Sequence, residues 1–141
     1  MSVIEVHCDG SSNGRSSSPC GWAYILILDG QLKGCGFGYI PGATNNIAEI
    51  TGALEGLKHA QSIGYDRAIL VSDSQYTLGM AGRTMNPTKN LSLVKELWDV
   101  VDKMQIVTRW VPGHGDGETA DSKINHWADK LAKAGKDTVD L

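Results

Sequence analysis

Apolar and polar positions alternate with a period of two over residues 3–9. Ile4, Val6 and Cys8 fall on one side and Val3, Glu5, His7 and Asp9 on the other, the pattern of a strand with Asp9 at its end. Residues 10–18 read as a Gly/Ser/Asn loop. Residues 21–28 (GWAYILIL) and 32–40 (LKGCGFGYI) are strand-like, separated by Asp29-Gly30-Gln31. Asp-Gly tolerates the positive φ of a tight turn, so the first three strands read as an antiparallel meander. Pro41-Gly42-Ala43-Thr44-Asn45 breaks the pattern and offers Thr44 or Asn45 as the cap of a helix over residues 46–62. Ile47, Ile50, Leu54 and Leu57 give that helix its apolar stripe. Beside it run Glu49, Ala53, Gly56 and Ala60, so Glu49 heads a strip of small residues that lets helix and sheet approach closely. A carboxylate placed there is costly unless a cation or proton compensates it.

The stretch Ala68-Ile69-Leu70-Val71-Ser72-Asp73-Ser74-Gln75 organises the second half. Its branched apolar run predicts a strand buried on both faces, ending abruptly in Asp73, where a helical pattern begins. Ligands of open α/β sheets bind outside the carboxyl ends of strands, which places Asp73 for chemistry rather than packing. Residues 74–79 predict a short helix, 83–90 a mildly basic irregular connection, 91–104 an amphipathic helix and 105–111 a final strand. Residues 112–123 (PGHGDGETADSK) form a glycine- and acid-rich loop, and 124–134 a last helix with Gly135 as its stop and a polar tail from 136. The order βββαβααβα, a hairpin start followed by crossovers, implies one mixed sheet flanked by helices.

Length narrows this to a single domain over residues 1–141. No apolar run approaches the roughly 20 residues that span a bilayer, and the N-terminus enters a strand pattern without a signal core, so a cytoplasmic location away from membranes is expected. Cys8, Cys20 and Cys35 lack metal-type spacing and read as free thiols. A formal net charge of −3 carries no electrostatic footprint of a nucleic-acid binder, so any such binding must be local or metal-assisted.

Four acids occupy comparable places: Asp9, Glu49, Asp73 and Asp129, the last in the final helix. Periodicity does not show that they meet. The blocks around them, however, are Asp9-Gly10-Ser11, Thr44-Asn45-Asn46-Ile47-Ala48-Glu49, Ser72-Asp73-Ser74-Gln75, Trp110-Val111-Pro112-Gly113-His114 and Asn125-His126-Trp127-Ala128-Asp129-Lys130-Leu131-Ala132. In this order they resemble type 1 ribonuclease H.

The resemblance implies an α/β, ribonuclease H-like fold: a mixed five-stranded sheet, three antiparallel strands then parallel ones, with helices on both faces. It implies hydrolysis of the RNA strand of RNA/DNA hybrids by a two-metal-ion mechanism, leaving 5′-phosphate and 3′-hydroxyl ends. Asp9, Glu49, Asp73 and Asp129 would be the metal ligands; oxygen-only donors favour Mg²⁺, with Mn²⁺ as a substitute. Without cations the clustered carboxylates should raise one another's pKa values. His114 would be a mobile-loop histidine assisting proton transfer or product departure, whereas His7, His59 and His126 read as structural or solvated. Gly10, Ser11, Ser12, Asn45, Asn46 and Gln75 would lie along the hybrid's minor groove, and Thr44 and Asn90 would bind a DNA-strand phosphate. No obligate protein partner is implied, and a monomer is expected.

The sequence also departs from the family pattern. Arg15 stands where an Asn commonly touches substrate, Ser16-Ser17-Ser18-Pro19 replaces a tighter Gly-Pro loop, and Gly42 stands where some members carry a phosphate-binding Arg. The basic protrusion of some members is missing, leaving Arg83 and Lys89 as nearby substitutes. The loop from 115 to 123 is long and carries Asp116, Glu118 and Asp121, one of which could compete for metal. The alternatives are a nuclease of the same fold acting on another nucleic acid, and a non-catalytic hybrid-binding module.

Overall fold

A computed structural model describes residues 2–12, 19–113 and 117–137. Among these, the chain runs β1 (Ile4–Ser11), β2 (Cys20–Leu28), β3 (Gln31–Ile40), α1 (Asn45–Ser62), β4 (Arg67–Ser72), α2 (Gln75–Ala81), α3 (Leu91–Val101), β5 (Gln105–Trp110) and α4 (Ala120–Asp137). The strands form one sheet in the order β3-β2-β1-β4-β5. The β1–β2 and β2–β3 pairs are antiparallel, and β1–β4 and β4–β5 parallel. The meander is closed by Asp29 and Gly30, both at positive φ (51° and 77°), in the two-residue turn that suits the twist of a hairpin.

Alternation along β1 sorts the core between the two faces. Ile4, Val6 and Cys8 join Tyr24, Leu26 and Leu70 beneath Ile50, Leu54 and Leu57 of α1 and Val94 and Leu97 of α3. On the opposite face Ile25 and Ile27 pack under Ala128 of α4, flanked by Ile124 and Leu131. Glu5, His7 and Asp9 point to this second face, so the α4 layer carries the polar side of β1.

Four expectations need correction. β1 runs past Asp9 to Ser11, because Asp9, Gly10 and Ser11 continue the antiparallel ladder opposite Ala23, Trp22 and Gly21. α4 begins at Ala120 rather than 124: Thr119 Oγ1 accepts from the Ser122 amide at 3.1 Å and Thr119 O from the Lys123 amide at 3.0 Å, an N-cap hidden in a glycine- and acid-rich stretch. Gly135 does not stop α4, which continues to Asp137. It is buried against the backbone of Gly38 in β3, and the absent side chain serves helix-to-sheet contact instead of termination. α3, in contrast, is shorter than expected, ending at Val101 before the turn into β5. Thr44, not Asn45, caps α1, its Oγ1 accepting from Ile47 N at 3.3 Å. No described helix is long and apolar enough to cross a membrane. Cys8, Cys20 and Cys35 are free.

Candidate active site

Asp9 is held late in β1, where the Gly10 amide donates to its Oδ1 at 2.9 Å. The next residue fixes what lies opposite. A Cβ on Gly10 would come within 2.7 Å of Glu49 N and 2.9 Å of Ala48 C, so only glycine lets the first turns of α1 sit this close to β1. That contact and the small-residue strip carry Glu49 inward until it is 4% exposed, beside Asp9 at 3%. Asp73 follows β4 immediately. Oxygens of Asp9, Glu49 and Asp73 lie within 4.8 Å of one another. Asp129, on α4, lines the same cleft of about 420 Å³ with its side chain 40% exposed and 3.0 Å from Lys133 Nζ.

Burial is the main force on the two innermost acids. It raises Asp9 to about 7, with the Asp73 charge adding to the shift and hydrogen bonds from Glu49 and the Gly10 amide opposing it. Glu49 is raised to about 10, again first by burial and then by the charges of Asp9 and Asp73. The pair therefore retains a proton at neutral pH unless something else neutralises it. Glu49 Oε2 is buried with no hydrogen-bond partner, and the carboxylates gathered around Glu49 offer a set of oxygen donors. Such a set fits a hard divalent cation.

Asp73 is braced from two directions: its carbonyl accepts from Trp110 Nε1 at 3.1 Å, and its Oδ2 from Asn125 Nδ2 at 3.4 Å. Asn125, His126, Lys133 and Gly113 also line the cleft and were not singled out as site residues from sequence. A signal for two of them exists, since Asn125 and Lys133 stand four residues before and after Asp129 on one helix face.

The remaining expected residues spread outward. Gly10 and Asn45 line the cleft. Ser11 is buried at the end of β1, Ser12 follows it, Asn46 is exposed in the first turn of α1, and Gln75 is exposed at the start of α2. Thr44 spends its hydroxyl on the α1 cap, and Asn90 borders a separate groove of about 400 Å³ with Ile40, Ile47 and Leu91. His114, Arg15, Ser16, Ser17, Ser18 and Asp116 lie outside the described residues. Asp121 stands apart from the Asp9, Glu49 and Asp73 cluster, gripped by Arg109. Arg83 is already engaged: its guanidinium bonds both oxygens of Asp102 (2.8 and 3.1 Å) and lies 4.8 Å over the Trp98 ring.

A mixed sheet in which the ends of two central strands and the start of α1 bring three acids together, with a fourth on the covering helix α4 lining the same cleft, defines a class, and comparison with known proteins gives the same class. The RNase H family model matches residues 1–137, and the chain belongs to that family. It is 29% identical to ribonuclease H of Coxiella burnetii over an alignment of 151 residues covering 96% of each chain. Identity to ribonuclease H of Rickettsia typhi is 31%, covering 98% of this chain and 93% of that one. Among solved structures, the N-terminal RNase H domain of a Mycobacterium tuberculosis protein superposes with a TM-score of 0.81 at 25% identity, covering 98% of this chain and 96% of that one. LC11-RNase H1, solved in complex with an RNA/DNA hybrid, shares the fold with a TM-score of 0.81 at 17% identity, covering 98% and 99%.

Proposed function

We propose that this chain is an endoribonuclease that hydrolyses the RNA strand of RNA/DNA hybrids at a two-cation site formed by Asp9, Glu49, Asp73 and Asp129. The observation that carries this reading is the convergence of Asp9, Glu49 and Asp73 within 4.8 Å beside an orphaned Glu49 oxygen, in a cleft that Asp129 also lines. Two divalent cations, when bound, supply a water made nucleophilic at neutral pH and a stabilised leaving oxygen. Mg²⁺ suits donors that are all oxygen and a site completed by substrate phosphate; Mn²⁺ is its natural substitute.

The protein's own residues set the terms. Asp9 and Glu49, which retain a proton on their own, would hold a cation in its place. Asn125 holds the Asp73 carboxylate through its Oδ2, and the indole of Trp110 fixes the backbone behind it. Asp129 stays solvated at the rim, where its partner Lys133 can yield to a phosphate. His114, which the family pattern singles out, takes or delivers a proton. The backbone of Gly10, Ser11 and Ser12, with Asn45, Asn46 and Gln75, reads the minor groove and the 2′-hydroxyls that distinguish RNA from DNA; Thr44 and Asn90 hold a DNA-strand phosphate. The products carry 5′-phosphate and 3′-hydroxyl ends. The chain works as a single-domain monomer in the cytoplasm.

The test is Asp73→Asn, which keeps shape while removing a charged donor. Loss of RNA-strand cleavage with hybrid binding retained is expected; undiminished cleavage by the folded variant would remove Asp73 from the machinery.

A further inference from the structure

The network on the α4 face of the sheet, away from the catalytic acids, has a role of its own. Arg109, next to last in β5, pairs in register with Val71, which pairs with His7, so the three form a row that crosses the sheet from β5 to β1. Arg109 Nε and Nη2 each donate at 2.8 Å to the Asp121 carboxylate in the first turn of α4, a bidentate pair of charge-assisted bonds. Nη2 also lies 3.3 Å from Glu5 Oε1, which accepts from His7 Nε2 at 2.8 Å. One guanidinium thus ties β5, β1 and α4 together. Glu5, His7 and Asp121 are close enough to share a metal ion, yet the Arg109 cation already stands between the two carboxylates.

The clasp sits at one end of a functional stripe. Asp121, Asn125 and Asp129 recur at intervals of four and share one face of α4. The first is held by Arg109, the second donates to Asp73, and the third lines the cleft. On the β5 side, Val111 N donates to Ser72 O at 3.1 Å and Trp110 to Asp73 O. The Arg109–Asp121 pair joins the two ends of the segment that leaves β5 and returns as α4. The first turn of α4 exists only because the helix starts at Ala120, within the stretch whose sequence reads as loop.

We infer that Arg109 and Asp121 are positioning residues, a clasp that seats the start of α4 against β5 so that Asn125 and Asp129 meet Asp73 at the geometry the cations require. This rests on the function proposed above. Misplacing a ligand-bearing helix by a fraction of an ångström weakens cation binding and slows the chemical step, while the hybrid remains held by β1, α1 and α2.

The experiment compares Arg109→Met, Asp121→Asn, their double variant and Asp121→Glu, each assayed at the same margin below its own melting temperature. Mn²⁺ binding to the substrate-free protein is read by electron paramagnetic resonance, and kcat and KM by hybrid cleavage. Each charge-removing variant should lower kcat and Mn²⁺ affinity by about tenfold, the usual cost of losing an outer support of a metal ligand, with KM little changed. Asp121→Glu should recover most of both, and the double variant should be no worse than the more severe single, because the two residues act as one unit. Folded variants with unchanged kcat and unchanged Mn²⁺ affinity, or losses that multiply in the double variant, would overturn the clasp. Should Arg109→Met fail to fold, Asp121→Asn against Asp121→Glu carries the same comparison. If the unmodified protein cleaves no hybrid, the proposed function fails, and the Mn²⁺ titrations still decide whether the clasp sets the carboxylates.

Discussion

The innermost acids, Asp9 and Glu49, are where the fold and the chemistry conflict most sharply. Burial first, and then the charge of neighbouring carboxylates (Asp73 on Asp9, Asp9 and Asp73 on Glu49), raises them to about 7 and about 10, so the native state keeps protons that the unfolded chain has released. A folded acid with a raised pKa costs stability as pH climbs from the unfolded value near 4 through the folded one. In chelator, the melting temperature should therefore fall between pH 5 and pH 8. Asp9→Asn should flatten that fall and stabilise the apo protein by on the order of 1–3 kcal/mol at pH 8. Mg²⁺ should raise the melting temperature of the unmodified protein more at pH 8 than at pH 5, since its binding competes with those protons. Thermal melts at both pH values check this; identical pH dependence of protein and variant in chelator would mean that Asp9 is not under strain. At this scale the four acids were legible in their short motifs, though neither periodicity nor composition shows that they meet. The bracing of Asp73 by Asn125 and Trp110 was not legible, because it depends on where α4 and β5 land relative to β4.

Among the elements, the strands and α1 were readable because their signals are local: alternation in β1, Asp29-Gly30 at the hairpin, Thr44 ahead of an apolar stripe. α4 shows where such signals fail. Its N-cap is a single threonine among glycines and acids, and Gly135 looks like a stop while serving as a contact. The two roles predict opposite signs for Gly135→Ala. As a mid-helix residue relieved of contact, alanine would gain about 1 kcal/mol of helix propensity. Against the Gly38 backbone, whose carbonyl carbon would lie 3.0 Å from the new Cβ, overpacking should instead cost roughly 1–3 kcal/mol. Denaturant unfolding of the variant should show the loss; a gain would mean that α4 has room to shift on β3.

Across the whole molecule, a formal charge of −3 and a short α2–α3 connection leave few cations to hold a polyanion. Arg83 is spent on Asp102 and Trp98, while Lys89 is exposed in that connection. Lys89→Ala should raise KM with kcat unchanged and make the salt dependence of binding shallower by about one phosphate contact. Arg83→Ala should leave KM close to that of the unmodified protein. Steady-state kinetics at several salt concentrations separate the two, and the reverse ranking would show that the Arg83–Asp102 pair opens on substrate. The central claim is that acids gathered from β1, α1, the end of β4 and α4, two of them buried, make this molecule a cutter of RNA paired with DNA. It is tested most directly by incubating the protein with RNA/DNA, RNA/RNA and DNA/DNA duplexes of one sequence, each with Mg²⁺ and with chelator. Cleavage of the RNA strand of the hybrid in Mg²⁺ and nowhere else is the predicted result; an intact hybrid in Mg²⁺, or cleavage that persists in chelator, would contradict it.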